Sequence, residues 1–158
     1  MNIRSCIMHS RPVWWPMRYK VGDFRSFAEE DLAQLKLNRQ FGFELGKSSC
    51  VHAQQYAEKM IKEKTVELGE DPRFDHNLVT LLNVLSEIGM EISEDLYLKS
   101  SVLTSYYIAA RYPGSTEVEF NPETAEEAYS YALEIGEYMD SHSLETYDGG
   151  RIHAVKKS

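Results

Sequence analysis

Lys59, Lys62, Tyr107 and Arg111 are the residues of this chain whose types and spacing suit phosphate chemistry. Lys59 and Lys62 are three apart, so on a helix they share a face and present two ammonium groups to an anion as point charges. Their ordinary alternative is a solvated face, because Glu58 and Glu63 stand beside them. Arg111 precedes Tyr112-Pro113-Gly114. A proline disfavours helical backbone in the residue before it, so Arg111 falls at a helix end, where a cation can bond the last carbonyls and offset the negative pole. Equally, its guanidinium can fork onto a phosphate, with Tyr107 one turn earlier offering a ring or hydroxyl to a base.

The remaining polar residues on or near the second helix read as structural. His52, Gln54, Gln55 and Glu58 suit buried hydrogen bonds that fix neighbouring helices, and His76, just after Asp75, suits a bond at a helix entrance. No pair of His at four-residue spacing with a Glu appears, so no metal is expected. A glycine-rich phosphate loop and a Ser or Cys nucleophile with an evident base are also missing, and no cofactor is expected. Tyr129, Tyr131 and Tyr138 suit packing or an interface.

The elements that must position these residues are helices. Phe24, Phe27, Ala28, Leu32 and Leu35 recur at helical spacing, with Asp23 as expected N-cap and Gly42 as the stop. A long second helix from about Glu44 to Leu68 carries Cys50, Ala53, Ala57, Met60 and Ile61 and ends at Gly69. A third, with Asp75 as expected cap, carries the strongest stripe: Leu78, Leu81, Leu82, Leu85 and Ile88, before Gly89. Ser93 followed by Glu94 and Asp95 starts a fourth, which carries Leu96, Leu103, Tyr106, Tyr107 and Ala110 inward and stops near Tyr112. Asn121-Pro122-Glu123 starts a fifth, with Ala125, Ala128, Ala132, Ile135 and Met139 inside and Glu126, Glu127, Glu134 and Glu137 outside. Ser115 to Phe120 alternates without a partner and reads as a loop. About five helices joined mostly by short connections define an all-α fold, an up-and-down antiparallel bundle.

With 158 residues, the chain fits one domain. An irregular arm (1–19), a helical bundle (20–145) and a loose tail (146–158) are expected, and Met17 is an alternative start. No run approaches the roughly 18 apolar residues of a membrane span, and the opening residues are too polar for a signal peptide, so a cytoplasmic location is expected. Cys6 and Cys50 are too few for a disulfide framework. A formal charge of −8 repels polyphosphate at long range, which disfavours nonspecific nucleic-acid binding by the whole surface and leaves room for a local basic patch.

Several strings, in order, resemble the HEPN family, the nucleotide-binding domains of higher eukaryotes and prokaryotes. They are Ala28-Glu29-Glu30-Asp31-Leu32, then Cys50 to Lys59 followed by Lys62, then His76-Asn77-Leu78, then Tyr107-Ile108-Ala109-Ala110-Arg111-Tyr112-Pro113. The resemblance runs from about Asp23 to Met139. It implies a bundle that forms homodimers and is often encoded beside a minimal nucleotidyltransferase in toxin-antitoxin-like systems. In some members it implies a metal-independent ribonuclease, and in others only nucleotide or RNA binding. The ribonuclease branch carries an Arg followed four to six residues on by a His. Here Arg111 is followed by Tyr112, Pro113, Gly114, Ser115, Thr116, Glu117 and Val118, so cleavage of that type lacks its proton carrier. Arg4 and His9 have the spacing, but lie in the irregular arm. The expectation is therefore a non-catalytic nucleotide- or RNA-phosphate-binding module. The alternatives are a ribonuclease with a non-standard site around Arg111, Tyr107 and Lys59, and a structural interaction bundle in which Lys59, Lys62 and Arg111 only bridge helices.

Overall fold

Local side-chain caps start three of the five helices among the described residues. The computed structural model describes residues 18–115, 117–144 and 154–156. Its helices are α1 (Asp23–Gln40), α2 (Gly46–Glu67), α3 (Leu78–Glu87), α4 (Glu94–Arg111) and α5 (Pro122–Ser141). Ser93 caps α4 by accepting from the Leu96 amide, and Asn121 caps α5 by accepting from Thr124 with Pro122 at the first position, as the sequence predicts. Residues 1–17 of the arm, with Arg4, Cys6 and His9, lie outside the described residues.

Two predicted caps are displaced. Asn77, not Asp75, caps α3 by accepting from the Val79 and Thr80 amides, while Asp75 accepts from the Asn77 amide and shapes the turn before it. At α1 the N-cap is Gly22, whose missing side chain supplies no acceptor. The acceptor arrives from α2. The Glu63 carboxylate takes the amide protons of Gly22, of Phe24 at 3.1 Å and of Arg25 at 3.2 Å. Asp23, the expected cap, instead accepts from the Lys20 amide.

Helix α1 ends in a Schellman turn: the Gly42 amide donates to the Arg39 carbonyl and the Phe43 amide to the Asn38 carbonyl. Gly42 has φ +67° and Phe43 has φ +56°, which is strained for a side chain. Phe43 is held there by burial and by its ring packing on Tyr129, 5.9 Å between centres. The same paired bonds end α2 at Gly69 and α3 at Gly89.

Helix α2 is central, packing against α1, α3, α4 and α5. A helix surrounded in this way has little solvated face, so its charged residues must find partners inside. This corrects the solvated-face alternative for the stretch around Lys59, because Glu58, Lys62, Glu63 and Lys64 are all buried. On α1 the expected stripe is also modified: Phe27 faces outward, while Asp31 and Asn38 join Ala28 and Leu35 inside. The core is built from Leu35, Ile61, Leu81, Leu82, Leu103, Ile135 and their neighbours. Tyr129 is buried in it, and Tyr131 and Tyr138 pack against its edge. Helices α2 and α5 approach closely at Gly136, where an added Cβ would strike the Tyr56 ring.

Beyond α5 the expected loose tail is partly paired. His142–Leu144 (β1) and Ala154–Lys156 (β2) form an antiparallel ribbon with Ser143 opposite Val155. Strands this short carry too little alternation to show as a pattern in the sequence.

Candidate functional site

A buried carboxylate organises the polar interior of α2. Glu58 is 4% exposed, and its oxygens accept from Lys62 Nζ at 2.7 Å, Gln54 Nε2 at 3.1 Å and Gln55 Nε2 at 3.2 Å. His76, in the loop before α3, brings Nδ1 to 3.1 Å from Glu58 Oε2. An ionised carboxylate only accepts, so the shared proton belongs on Nδ1, and Nε2 is left for solvent or a ligand. The His76 carbonyl accepts from Gln54 Nε2 at 2.8 Å, which ties the loop to α2. Spacing explains the set: residues 54, 58 and 62 recur every four residues along one face of the helix.

The loop end of this cluster meets the end of α4. The His76 ring lies 5.7 Å from the Tyr107 ring, and the Arg111 guanidinium lies 4.2 Å from the centre of the same ring. Tyr107 is buried, and burial pushes its phenol up although Arg111 pulls the other way, so it stays protonated near neutral pH. Arg111 is exposed and, among the described residues, makes no ion pair and no bond to the last carbonyls of α4. Thr104 supports the junction from α4, accepting the Leu78 amide at 3.1 Å.

Lys59 belongs to a second cluster. Its ammonium pairs with Asp31 of α1, whose other oxygen lies 2.8 Å from His52 Nδ1. Burial pushes the Asp31 carboxyl up, but the bonds from His52 and Lys59 prevail and hold it below the usual carboxylate range. The structure therefore brings Glu58, Lys62, Gln54, Gln55, His76, Tyr107 and Arg111 together, and places Lys59 and His52 with Asp31. Asp31 was not singled out from the sequence as a site residue, although it sits in the Ala28 to Leu32 string that carries the family resemblance.

Among the described residues, what this junction offers a ligand is the Arg111 guanidinium, the His76 imidazole edge and the Tyr107 ring that both contact. Among the described residues, no group of three His, Cys, Asp or Glu side chains is placed to hold a metal ion. No described helix is long and apolar enough to cross a membrane.

The model of the HEPN domain matches residues 3–142, and the chain belongs to that family. Among solved structures, TT1696 from Thermus thermophilus is 27% identical with a TM-score of 0.64, over 75% of this chain and 94% of that one. ST0689, an archaeal HEPN homologue, is 23% identical with a TM-score of 0.62, over 77% of this chain and 96% of that one, a likeness of fold. No curated protein sequence matches.

Proposed function

We propose that this HEPN-domain protein is a non-catalytic module that binds the phosphate of a nucleotide or RNA at the junction of α4 and the α3 entrance. The observation that carries the reading is Arg111: an exposed guanidinium seated on the Tyr107 ring, with no carboxylate partner among the described residues. Structural arginines at helix ends usually bond the last carbonyls or a carboxylate. One held instead by a ring keeps its donors free for a bidentate contact to phosphate. His76, on the same Tyr107 ring, supplies a second donor when its ring is protonated. Lys59 and Lys62 support the site indirectly, since both ammonium groups are committed to carboxylates.

Family membership supports two further parts of the proposal: a homodimer, and a minimal nucleotidyltransferase as partner in a toxin-antitoxin-like system. Co-expression with a nucleotidyltransferase encoded beside this chain, followed by sedimentation of the complex, tests both. Phosphate binding is tested by calorimetric titration with ATP, GTP and a short single-stranded RNA at low and moderate salt. Salt-sensitive binding that disappears in Arg111→Ala supports it, and no binding to any of them sinks it.

A second reading, a metal-independent ribonuclease, gains from one observation. His76 places against the Tyr107 ring, which also carries Arg111, an imidazole whose Nδ1 is fixed by a buried carboxylate, the kind of proton carrier missing after Arg111 in the sequence. RNA cleavage that survives rigorous purification and is lost in both Arg111→Ala and His76→Ala would establish it over the non-catalytic reading.

A further inference from the structure

Helix α1 turns an apolar edge outward. Phe27 is 58% exposed, Leu37 47%, and Phe41, the residue that closes the helix, 69%. Positions 27, 30, 34, 37 and 41 recur at steps of three and four, so these side chains share one edge with Glu30 and Gln34 between them. Arg25 and Arg39, two residues before Phe27 and Phe41, pair with Asp140 and Glu126 of α5. Two residues turn a helix by about 200°, so the edge faces away from α5 and lacks a cover among the described residues. Bulky apolar side chains aligned in this way are costly to hydrate and mark a surface that another segment covers.

We propose that the occupant is the chain's own N-terminal arm, residues 1–17, laid along this edge of α1. The arm joins the described chain at Arg18, whose guanidinium lies 5.5 Å from the centre of the Tyr19 ring, and that ring packs on Phe24 of α1 at 4.8 Å. The arm is thus attached beside the first turn of the helix it covers. Its chemistry matches the edge: Ile3, Ile7, Met8, Val13, Trp14 and Trp15 meet the apolar side chains, and Arg4 and Arg11, with no acidic residue in the arm, meet the exposed Glu30. Its reach also fits, because α1 from Asp23 to Phe41 spans about 27 Å, whereas residues 1–17 span about 56 Å when extended. Trp15 lies three residues from Arg18, within about 10 Å of the attachment, which sets the tryptophans at Phe27, about 6 Å along α1 from Asp23. Ile7 and Met8 extend far enough to meet Leu37 and Phe41. A second copy of the chain must find the edge by diffusion, while the arm meets it at the effective concentration of a short tether.

Trp14 and Trp15 are the chain's 2 tryptophans, so tryptophan emission reports on the arm alone. The test is emission and acrylamide quenching of the full chain, native and in urea, at several protein concentrations, for the wild type and for Phe27→Ser, Leu37→Ser and Leu98→Ser. Leu98, exposed on α4, is the control. Native wild-type emission should lie to the blue of the urea-unfolded chain and resist quenching. Phe27→Ser should move both readings toward the unfolded values, Leu37→Ser should do so less, and Leu98→Ser should leave them in place. Helical circular dichroism should match wild type in all three variants, because each side chain lies outside the core. Wild-type emission already at the unfolded position overturns the proposal. Protected emission that Phe27→Ser and Leu37→Ser leave unchanged, or that Leu98→Ser moves as far as Phe27→Ser, also overturns it. Protection that appears only as the protein concentration rises assigns the edge to a second copy and overturns it as well.

Discussion

The Arg111 guanidinium rests 4.2 Å from the centre of the Tyr107 ring, so the charge at the end of α4 is held by an aromatic face and, among the described residues, by no carboxylate. This contact leaves the donors of the fork unspent. Tyr107→Leu keeps much of the buried volume and removes the ring. It should weaken phosphate binding about two- to fivefold, the equivalent of roughly 0.5–1 kcal/mol of lost seating. Tyr107→Phe should bind as wild type by calorimetry. Equal losses in the two variants would shift the role from ring to hydroxyl.

Glu58→Gln leaves Lys62 buried opposite a neutral amide and leaves one carbonyl oxygen where Lys62, His76 and the two glutamines now meet two carboxylate oxygens. Breaking a buried pair from one side costs about 3–5 kcal/mol, so a large drop in urea stability is expected. Adding Lys62→Met should recover much of it. If the double variant is no better than the single, the cost lies in the lost His76 and glutamine bonds.

Glu63→Ala strips the amides of Gly22, Phe24 and Arg25 of their acceptor. Loss of a charged cap of this kind should cost about 2 kcal/mol in urea titration. Glu63→Gln, which retains one carbonyl acceptor, should fall between wild type and alanine.

Gly136→Ala places a methyl against the Tyr56 ring, with the hydroxyl as the nearest atom. Overpacking at this helix contact should cost about 1–3 kcal/mol. In a double-mutant cycle, Tyr56→Phe should return part of that loss, and strict additivity would place the strain elsewhere.

Asp31 sets an acid limit. Its carboxyl is held low by His52 and Lys59 against the opposing effect of burial, so the unfolded chain binds this proton more readily than the folded one. The stability it contributes is complete above the ordinary carboxylate value of about 3.9, and is lost as pH falls through the lower folded value. Asp31→Asn should therefore be destabilised near neutral pH, with its melting temperature converging on wild type as the pH approaches about 2. A gap that is constant with pH would assign the loss to packing alone.

Sequence and structure agree at several helix ends set by local bonds, although the cap of α3 falls two residues later than expected, on Asn77. Ser93 and Asn121-Pro122 mark helix starts because capping acts over three residues, and Gly42, Gly69 and Gly89 mark stops because a Schellman turn needs a left-handed residue there. The cap of α1 is invisible to such reading because Glu63 lies 41 residues from Gly22. The charged residues of α2 look like a solvated face because the pattern of a single helix does not reveal how many neighbours surround it. The site divides in the same way. Arg111 and Tyr107 can be paired from their spacing on one helix, whereas the approach of His76 depends on how α3 docks beside α4.

The borrowed cap of α1 also bears on the order in which the protein is made. Synthesis delivers the chain from its N-terminus, so the first turn of α1 emerges with open amides and no acceptor of its own. It is sealed only when Glu63 follows, 41 residues behind Gly22, and α2 lies down against it. The start of the first helix is thus completed after the second has formed, and a chain halted between them carries α1 with a frayed end.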